Sequence, residues 1–313
     1  MDVIHYPEDP RPVAWHQPVL ALGNFDGLHR GHLKIVERVG RRATERGGVA
    51  VVLTFDPHPT RVVRPDKAPK LLMTTAQKLE ALGQAGMDGA AVVRFTREMS
   101  LWGPEEFVQR VLVDWLRVAE VWVGANFLFG HDRAGNFSLL RLLGARHGFR
   151  AEKIDPVRYK DFVVSSTRIR RLISEGRVDE AAALLGRQYC IEGTVVPGDK
   201  RGHGLGFPTA NLDTPNELLP PNGVYATVLL LDGVIHPAIT NVGVRPTFGG
   251  GTSVVVVETH VFDLDRDLYG RRVRLAFVQR MRDERAFDGP ASLREQIEMD
   301  CRHARALFAR LSL

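Results

Sequence analysis

One turn constrains this chain more than any other feature. It reads Gly23-Asn24-Phe25-Asp26-Gly27-Leu28-His29-Arg30-Gly31-His32, and it joins an apolar run, Val19–Leu22, to a stretch that places Leu33, Val36 and Val39 at helical spacing. Lys34, Glu37, Arg38 and Arg41 fall on the opposite side of that helix, toward water, and a second apolar run occupies residues 49–55. Strand, turn, helix and strand in this order make a β-α-β unit, whose crossover lets the two strands run parallel. Similar patterning at 79–82, 89–95, 107–113 and 118–123 continues the alternation. The expected architecture is therefore α/β, a mainly parallel sheet covered by helices on both faces. A last helical segment, 170–185, ends at Gly186.

After residue 186 short apolar runs separated by turns replace that texture, which divides the chain into an α/β domain over 1–186 and a second domain over 187–313. Residues 224–231 and 234–240 flank Asp232-Gly233, a dipeptide that a two-residue hairpin prefers because both of its positions need positive φ. Segments 254–261 and 273–278 add strands, so the second domain is expected to be an antiparallel β-barrel or sandwich. A terminal helix follows, with Ser292 and Glu295 as a capping box ahead of Leu293, Ile297 and Leu307.

The 313 residues, 44% hydrophobic and 25% charged, suffice for two domains that each bury a core. Cys190 and Cys301 are too few for a disulfide framework or a four-ligand zinc site and point to a reducing cytoplasm. The longest aliphatic stretch, 224–231, falls far short of the roughly 20 residues of a membrane span. The start, Met1-Asp2-Val3-Ile4-His5-Tyr6, lacks the basic and apolar regions of a signal peptide, so a cytoplasmic protein without a membrane partner is expected. Residues 1–186 hold 27 Lys+Arg against 22 Asp+Glu, while 187–313 hold 15 of each. The basic residues come singly or in pairs such as Arg41-Arg42 and Arg271-Arg272, not as a stripe. Small phosphorylated ligands are expected rather than nucleic acid.

Three glycines in the first turn let a ligand approach the backbone, and a helix beginning near Arg30 would aim free amides and its positive dipole end at a phosphate. His29 and His32, three residues apart, share one helix face and can donate to phosphate oxygens as charge develops at phosphorus. Two histidines near a helix start are by themselves more often surface residues; the glycines and the strand-turn-helix context reverse that preference. Asn126 follows an apolar strand, 121–124, at the end where open α/β sheets bind ligands. Ser165, Ser166 and Thr167 lead into a helix carrying Arg168 and Arg170, so hydroxyls, amides and guanidiniums can grip a pyrophosphate. A polar helix cap with solvated arginines is the plainer reading of that segment.

The H-x-G-H core of the first turn, in its wider wording G-N-F-D-G-x-H-x-G-H, resembles the adenylyltransferase module of the prokaryotic-type bifunctional riboflavin kinase/FAD synthetases. Three further motifs match in family order: Thr54-Phe55-Asp56-Pro57-His58-Pro59, Gly124-Ala125-Asn126-Phe127-Leu128-Phe129-Gly130 and Ser165-Ser166-Thr167-Arg168-Ile169-Arg170. The resemblance implies a Rossmann-like nucleotidyltransferase domain in which His29 and His32 are catalytic. It implies ATP and phosphate binding by Gly23, Phe25, Asp26, Gly31, Ser165, Ser166, Thr167, Arg168 and Arg170, and flavin binding by His58, Asn126 and Phe127. On patterning alone Phe127 and Phe129 suit a core better than a flavin wall. His131 follows Gly130 where many members carry Lys, which weakens a phosphate role at that position at neutral pH.

Residues 193–211 hold five glycines between Gly193 and Gly206 and end in Phe207-Pro208-Thr209-Ala210-Asn211. Such a run is a mobile loop or an anion cradle of backbone amides. Thr209 and Asn211, at alternate positions, can hold Mg²⁺ together with triphosphate oxygens. Pro-Thr-Ala-Asn after a glycine loop resembles the riboflavin kinase module, as do segments 241–248, 257–260 and 267–270. The resemblance assigns ATP binding to Gly198, Lys200, Gly206, Pro208, Thr209 and Asn211, and the metal to Thr209 and Asn211. His203 stands where the family often has Arg, which bears on ATP affinity. On a strand Glu258 and His260 share one face and Val257 and Thr259 the other. Taken alone, Glu258 reads as a strand-end charge meeting water; the resemblance makes it the general base for a ribityl hydroxyl. Segment 282–287 and Leu293, Gln296 and Asp300 also look like the family's ending.

The resemblance implies a barrel that phosphorylates riboflavin with ATP to FMN, and an α/β domain that transfers AMP from ATP to FMN, giving FAD and pyrophosphate. Mg²⁺ and the small molecules ATP, riboflavin and FMN are the implied partners, and self-association stays open. Two other readings remain: a flavin- or nucleotide-binding regulatory protein, which would have little need of a carboxylate at position 258, and an enzyme with one module silent. An RNA-binding protein would interleave aromatics with Lys and Arg, and the balanced charge of 187–313 argues against it.

Overall fold

The computed structural model describes residues 1–198, 206–245 and 254–311. The chain divides into two compact units, Met1–Ser166 and Thr167–Leu313.

The first unit opens with β1 (Asp2–Tyr6), β2 (Val19–Leu22), α1 (Arg30–Arg46) and β3 (Ala50–Asp56). The short α2 (Pro59–Val63) leads to α3 (Thr75–Gln84), β4 (Gly89–Arg94) and α4 (Pro104–Phe107), which runs on as a π-helical stretch, Val108–Trp115. Then come β5 (Glu120–Gly124), a small hairpin of β6 (Leu128–Phe129) and β7 (Gly135–Asn136), α5 (Phe137–His147) and β8 (Arg150–Ile154). A second small hairpin, β9 (Arg158–Tyr159) and β10 (Phe162–Val163), completes the unit.

Six strands form one parallel sheet in the order β1-β4-β3-β2-β5-β8. Leu20 and Leu22 join a core with Val51, Leu53, Leu112 and Leu140, whereas Val19 and Ala21 join a second core with Val36, Val39 and Val52. Burial on both faces is why β2 is apolar at every position instead of alternating. Helix α1 buries Val36 and Val39 and exposes Lys34, Glu37, Arg38 and Arg41, as its spacing predicts; Ile35 and Ala43 complete the buried face, and Leu33 is only half-buried. It stops at Gly47, whose φ of +61° lets its N–H reach the Ala43 and Thr44 carbonyls. The strand order reverses between β2 and β5, which opens a crevice beyond their carboxyl ends.

The opposite end of the same two strands is fixed by a buried charge. Glu120, at the start of β5, is fully buried and accepts hydrogen bonds from Arg42 Nε and Nη2 at 3.0 and 2.9 Å and from Trp122 Nε1 at 2.7 Å. Burial works against its charged form, but these donors and the Arg42 charge outweigh it and hold the carboxyl below the ordinary range. Its stabilisation is thus complete above the ordinary glutamate pKa and is lost as pH falls through the lowered one. Glu120→Ala should destabilise the first unit by about 3 kcal/mol, the low end for a broken buried pair because Arg42 keeps partial access to water. Urea unfolding followed at neutral pH and near pH 3 checks both points, since the difference between wild type and variant should shrink in acid.

The segment expected as one helix, 170–185, is two: α6 (Ser166–Ser174) and α7 (Val178–Leu185). Gly176 ends the first with φ of +78°, and a Cβ there would come within 2.8 Å of Arg280 Cδ. Helix α7 ends at Gly186, as expected, with φ of +83°.

Strands β11 (Tyr189–Val196), β12 (Ala210–Asp213), β13 (Gly223–Leu231), β14 (Val234–Arg245), β15 (Val254–Val261) and β16 (Arg272–Arg282) form a closed antiparallel barrel in the order β11-β12-β15-β14-β13-β16. Of the two expected architectures, barrel and sandwich, the barrel forms. Asp232 and Gly233 turn the β13–β14 hairpin with φ of +51° and +81°. One face of β13 carries Tyr225, edge-on to Phe277 at 5.4 Å, and Thr227, whose hydroxyl continues through Thr240 to Thr259 at 2.7 and 2.9 Å. Its other face, Val224, Ala226 and Val228, packs with Ala304 and Phe308 of α8 (Pro290–Leu311). Two buried faces explain the long aliphatic run of 224–231.

The capping box expected at Ser292 and Glu295 does not form. Helix α8 begins at Pro290, a residue suited to the first helical turn, so Ser292 lies inside the helix and its Oγ donates to Gly289 O at 3.0 Å. The buried line is Gln296, Asp300, Ala304 and Phe308, with Leu293, Ile297 and Leu307 only half-buried beside it. Its polar half is satisfied: Arg282 Nη2 donates to Asp300 at 2.7 Å and Gln296 Nε2 donates to the same carboxylate at 2.7 Å. Among the described residues no helix is long and apolar enough to cross a membrane.

Candidate functional site

The glycine turn stands at the carboxyl end of β2, on the switch-point crevice. His29 caps α1: its Nδ1 accepts the His32 N–H at 3.3 Å, which leaves the proton of a neutral ring on Nε2. The two imidazoles stack at 3.6 Å between centroids and 13° between planes. The buried Phe25 meets His32 edge-on at 5.2 Å. Gly31 makes room for this arrangement, because a Cβ there would lie 3.1 Å from His29 Cε1. Gly23 similarly lies beside the Phe25 ring.

Asp26 turns inward. Its carboxylate, 5% exposed, accepts the Leu72 N–H at 3.0 and 3.2 Å, and its backbone carbonyl accepts the Ser166 hydroxyl at 2.8 Å. The first and fourth motifs are thereby joined across 140 residues. The second motif also reaches the turn: His58 caps α2 through Nδ1, while its Nε2 lies 3.2 Å from Asn24 Nδ2. Of the third motif, Asn126 is exposed on the turn beyond β5, and the half-buried Phe127 stacks on the buried Phe129 at 5.3 Å. His131 Nδ1 lies 2.9 Å from the Ser100 carbonyl. Ser165 is half-buried just before α6; Thr167, Arg168 and Arg170 follow on that helix and belong to the second unit.

Sequence reasoning missed Lys78. It lies on α3, 8% exposed, and its Nζ donates to Thr54 Oγ1 at 3.0 Å and to the Asn24 carbonyl at 3.3 Å. Burial pushes its pKa down, against the pull of the Asp26 and Asp56 carboxylates. The signal was its spacing: Lys78 stands one turn before the fully buried Leu82 on an amphipathic helix, a position that faces inward.

In the barrel, a cavity of about 440 Å³ is lined by Gly198, Pro208, Thr209, Asn211, Thr259 and Tyr269 among others. Asn211 packs so closely on Gly198 that a Cβ there would fall 2.0 Å from Asn211 Nδ2. Glu258 and the exposed Gly206 do not line this cavity. Glu258 instead pairs across strands with Asn211 on β12 and with Asn241 on β14, so the three side chains share one face beside it. His260 follows on that face, its Nδ1 2.8 Å from Pro208 O. Val257 and Thr259 are buried on the other face, the alternation expected. Lys200, His203 and the end of segment 241–248 lie outside the described residues.

A parallel sheet with a stacked histidine pair at its switch point, followed on the same chain by a closed barrel with a cavity, defines a two-module nucleotide-handling protein. The FAD synthetase family model matches residues 12–168, and the riboflavin kinase family model matches residues 185–308. The bifunctional riboflavin kinase/FMN adenylyltransferase of Pseudomonas fluorescens is 38% identical over 93% of this chain and 93% of its own length. Proteins of the same name from Escherichia coli (strain K12) and Bacillus subtilis (strain 168) are each 35% identical, over 93% and 94% of this chain and 92% and 93% of theirs. The chain belongs to the bifunctional riboflavin kinase/FMN adenylyltransferase family, with the two modules in the order that its motifs imply. A crystal structure from Streptococcus pneumoniae, described as a macrolide-efflux protein, superposes with a TM-score of 0.88 at 27% identity, covering 97% of this chain and 99% of that one.

Proposed function

We propose that the barrel transfers the γ-phosphoryl group of ATP to the ribityl hydroxyl of riboflavin, giving FMN and ADP, and that the first unit transfers AMP from ATP to the FMN phosphate, giving FAD and pyrophosphate. The observation that carries this reading is the placement of the stacked, capped His29–His32 pair at the switch point of the parallel sheet.

In the first unit the FMN phosphate is itself the nucleophile and is largely ionised at neutral pH, so no strong base is required. His29 and His32 donate to phosphate oxygens as charge builds at the α-phosphorus. The amides of Gly23, Phe25 and Gly31 receive ATP, while Asp26 acts through the loop it anchors, its carboxylate being bound to Leu72. Ser165 helps to hold the departing pyrophosphate, and Ser166 braces the turn. His58, Asn126 and Phe127 form the flavin side.

In the barrel, Glu258 takes the proton of the ribityl hydroxyl while Gly198, Lys200, Gly206, Pro208, Thr209 and Asn211 align ATP. The Thr209 hydroxyl and the Asn211 amide oxygen suit a hard cation that arrives with phosphate oxygens and keeps its water, and among the described residues no cluster of three His, Cys, Asp or Glu competes for a metal. Mg²⁺ bound there with ATP would neutralise phosphate charge. The functional division falls near residue 186, the enzyme works in the cytoplasm, and self-association is a further property to test by sedimentation.

Chromatography of products from riboflavin, ATP and Mg²⁺, and separately from FMN, ATP and Mg²⁺, tests the reading. FAD in both tubes, with FMN appearing first in the former, is the expected result. Absence of product in both would leave a binding protein. Gly31→Ala is expected to displace the His29 ring and lower FAD formation about tenfold or more, with little change in the thermal midpoint of the first unit; kinetics beside a calorimetric scan check it.

A further inference from the structure

Lys78 is a buried ionisable group that the mechanism above does not use. Its ammonium has three donors, and among the described residues two acceptors meet it: Thr54 Oγ1 at 3.0 Å and the Asn24 carbonyl at 3.3 Å. Thr54 Oγ1 donates in turn to the same Asn24 carbonyl at 3.1 Å. The three groups form a closed triangle beneath the glycine turn. Asn24 is the residue whose side chain meets His58, and Asp26, two residues on, carries the Ser166 link.

Burying a cation here is expensive for folding, and an apolar side chain of similar volume would stabilise the unit as well or better. A costly charge kept beside a catalytic turn points to function. Building on the adenylyltransferase reading, we propose that Lys78 is a positioning residue for adenylyl transfer: it holds the Asn24 carbonyl from inside, so that the turn keeps the shape in which its amides and the Asn24–His58 link face the substrates, and it places a positive charge on the underside of the phosphate site.

The test is Lys78→Met in the full chain, with kcat and KM for FAD formation from FMN and ATP, riboflavin phosphorylation by the same preparation, and the thermal midpoint. The expected result is a loss of about thirtyfold or more in kcat for FAD formation, unchanged riboflavin phosphorylation, and a midpoint equal to or above that of the wild type. A merely structural lysine would give the reverse: a lower midpoint and an undiminished kcat for each folded molecule. That result overturns the proposal. Wild-type chain that forms no FAD overturns the parent reading and the proposal with it, whereas wild-type FAD formation with an unimpaired Lys78→Met variant overturns the proposal alone.

Should the variant fail to fold, the wild-type pH profile decides. Burial lowers the Lys78 pKa, so kcat/KM for FAD formation should fall on the alkaline side below the ordinary lysine range while riboflavin phosphorylation does not. The charged groups facing Lys78 are Asp26 from the turn and Asp56 from β3, with His58 behind Asn24. Thr54→Val keeps the ammonium, removes one side of the triangle and should retain that alkaline limb at a reduced rate. A profile flat through the lysine range overturns the assignment.

Discussion

Glu258→Gln should lower riboflavin phosphorylation by about 10²–10⁴-fold, the usual worth of a positioned general base, while FAD formation from added FMN stays unchanged. The carboxylate stands on the barrel face shared with Asn211 and Asn241, adjoining the cavity instead of lining it. If the cavity takes the triphosphate, as proposed, a hydroxyl acceptor would meet Glu258 from beside it, which suits an approach in line with the γ-phosphorus. The effect should fall on kcat, because proton removal belongs to the transition state and not to binding. Steady-state rates with riboflavin varied at saturating ATP give the answer; a raised KM with intact kcat would make Glu258 a binding group.

Replacing His29 and His32 together by alanine should have the complementary effect, a loss of about 10³-fold or more in FAD formation, since each donor aimed at a reacting phosphate is worth roughly 10²–10³. Riboflavin phosphorylation by the same molecules is the internal control. The single variants should each show most of the loss. The rings stack at 3.6 Å, so removing either imidazole takes away the face that holds the other, while the backbone N–H of residue 32 would still donate to His29 Nδ1. Near-additive single losses would mean that the two imidazoles act independently. Loss of both activities from either change, in protein still folded by circular dichroism, would sink the division of labour between the two units.

What could be read in advance was local. The β-α-β unit and the Asp232-Gly233 hairpin announce themselves because helix period, cap and turn chemistry each reside within a few neighbouring residues. Features resting on partners distant in sequence did not. Gly176 was read through as part of one helix, since nothing nearby shows that the Arg280 side chain occupies the space beside it. Ser292 satisfied the capping pattern, but Pro290 starts the helix two residues earlier. Strand β1 escaped notice because an edge strand with one buried residue, Ile4, has no repeating signature. At the candidate sites, motif spelling singles out His29, His32 and Asn211, whereas the bonds from Leu72 to the Asp26 carboxylate and from Ser166 to the Asp26 carbonyl join partners far apart in sequence and leave no local signature. Lys78 was hidden by its type, because a lysine on a helix is ordinarily assigned to water.

The bond from the Ser166 hydroxyl to the Asp26 carbonyl sets an order in time. During synthesis the glycine turn emerges early, yet the group that braces it is made 140 residues later. All six strands of the parallel sheet are complete by Ile154. A nascent chain arrested with residue 160 just outside the ribosome would thus possess its whole sheet, and the tether of its glycine turn would still lie within the exit tunnel. The brace on this turn is therefore made only after the sheet that carries the turn is complete.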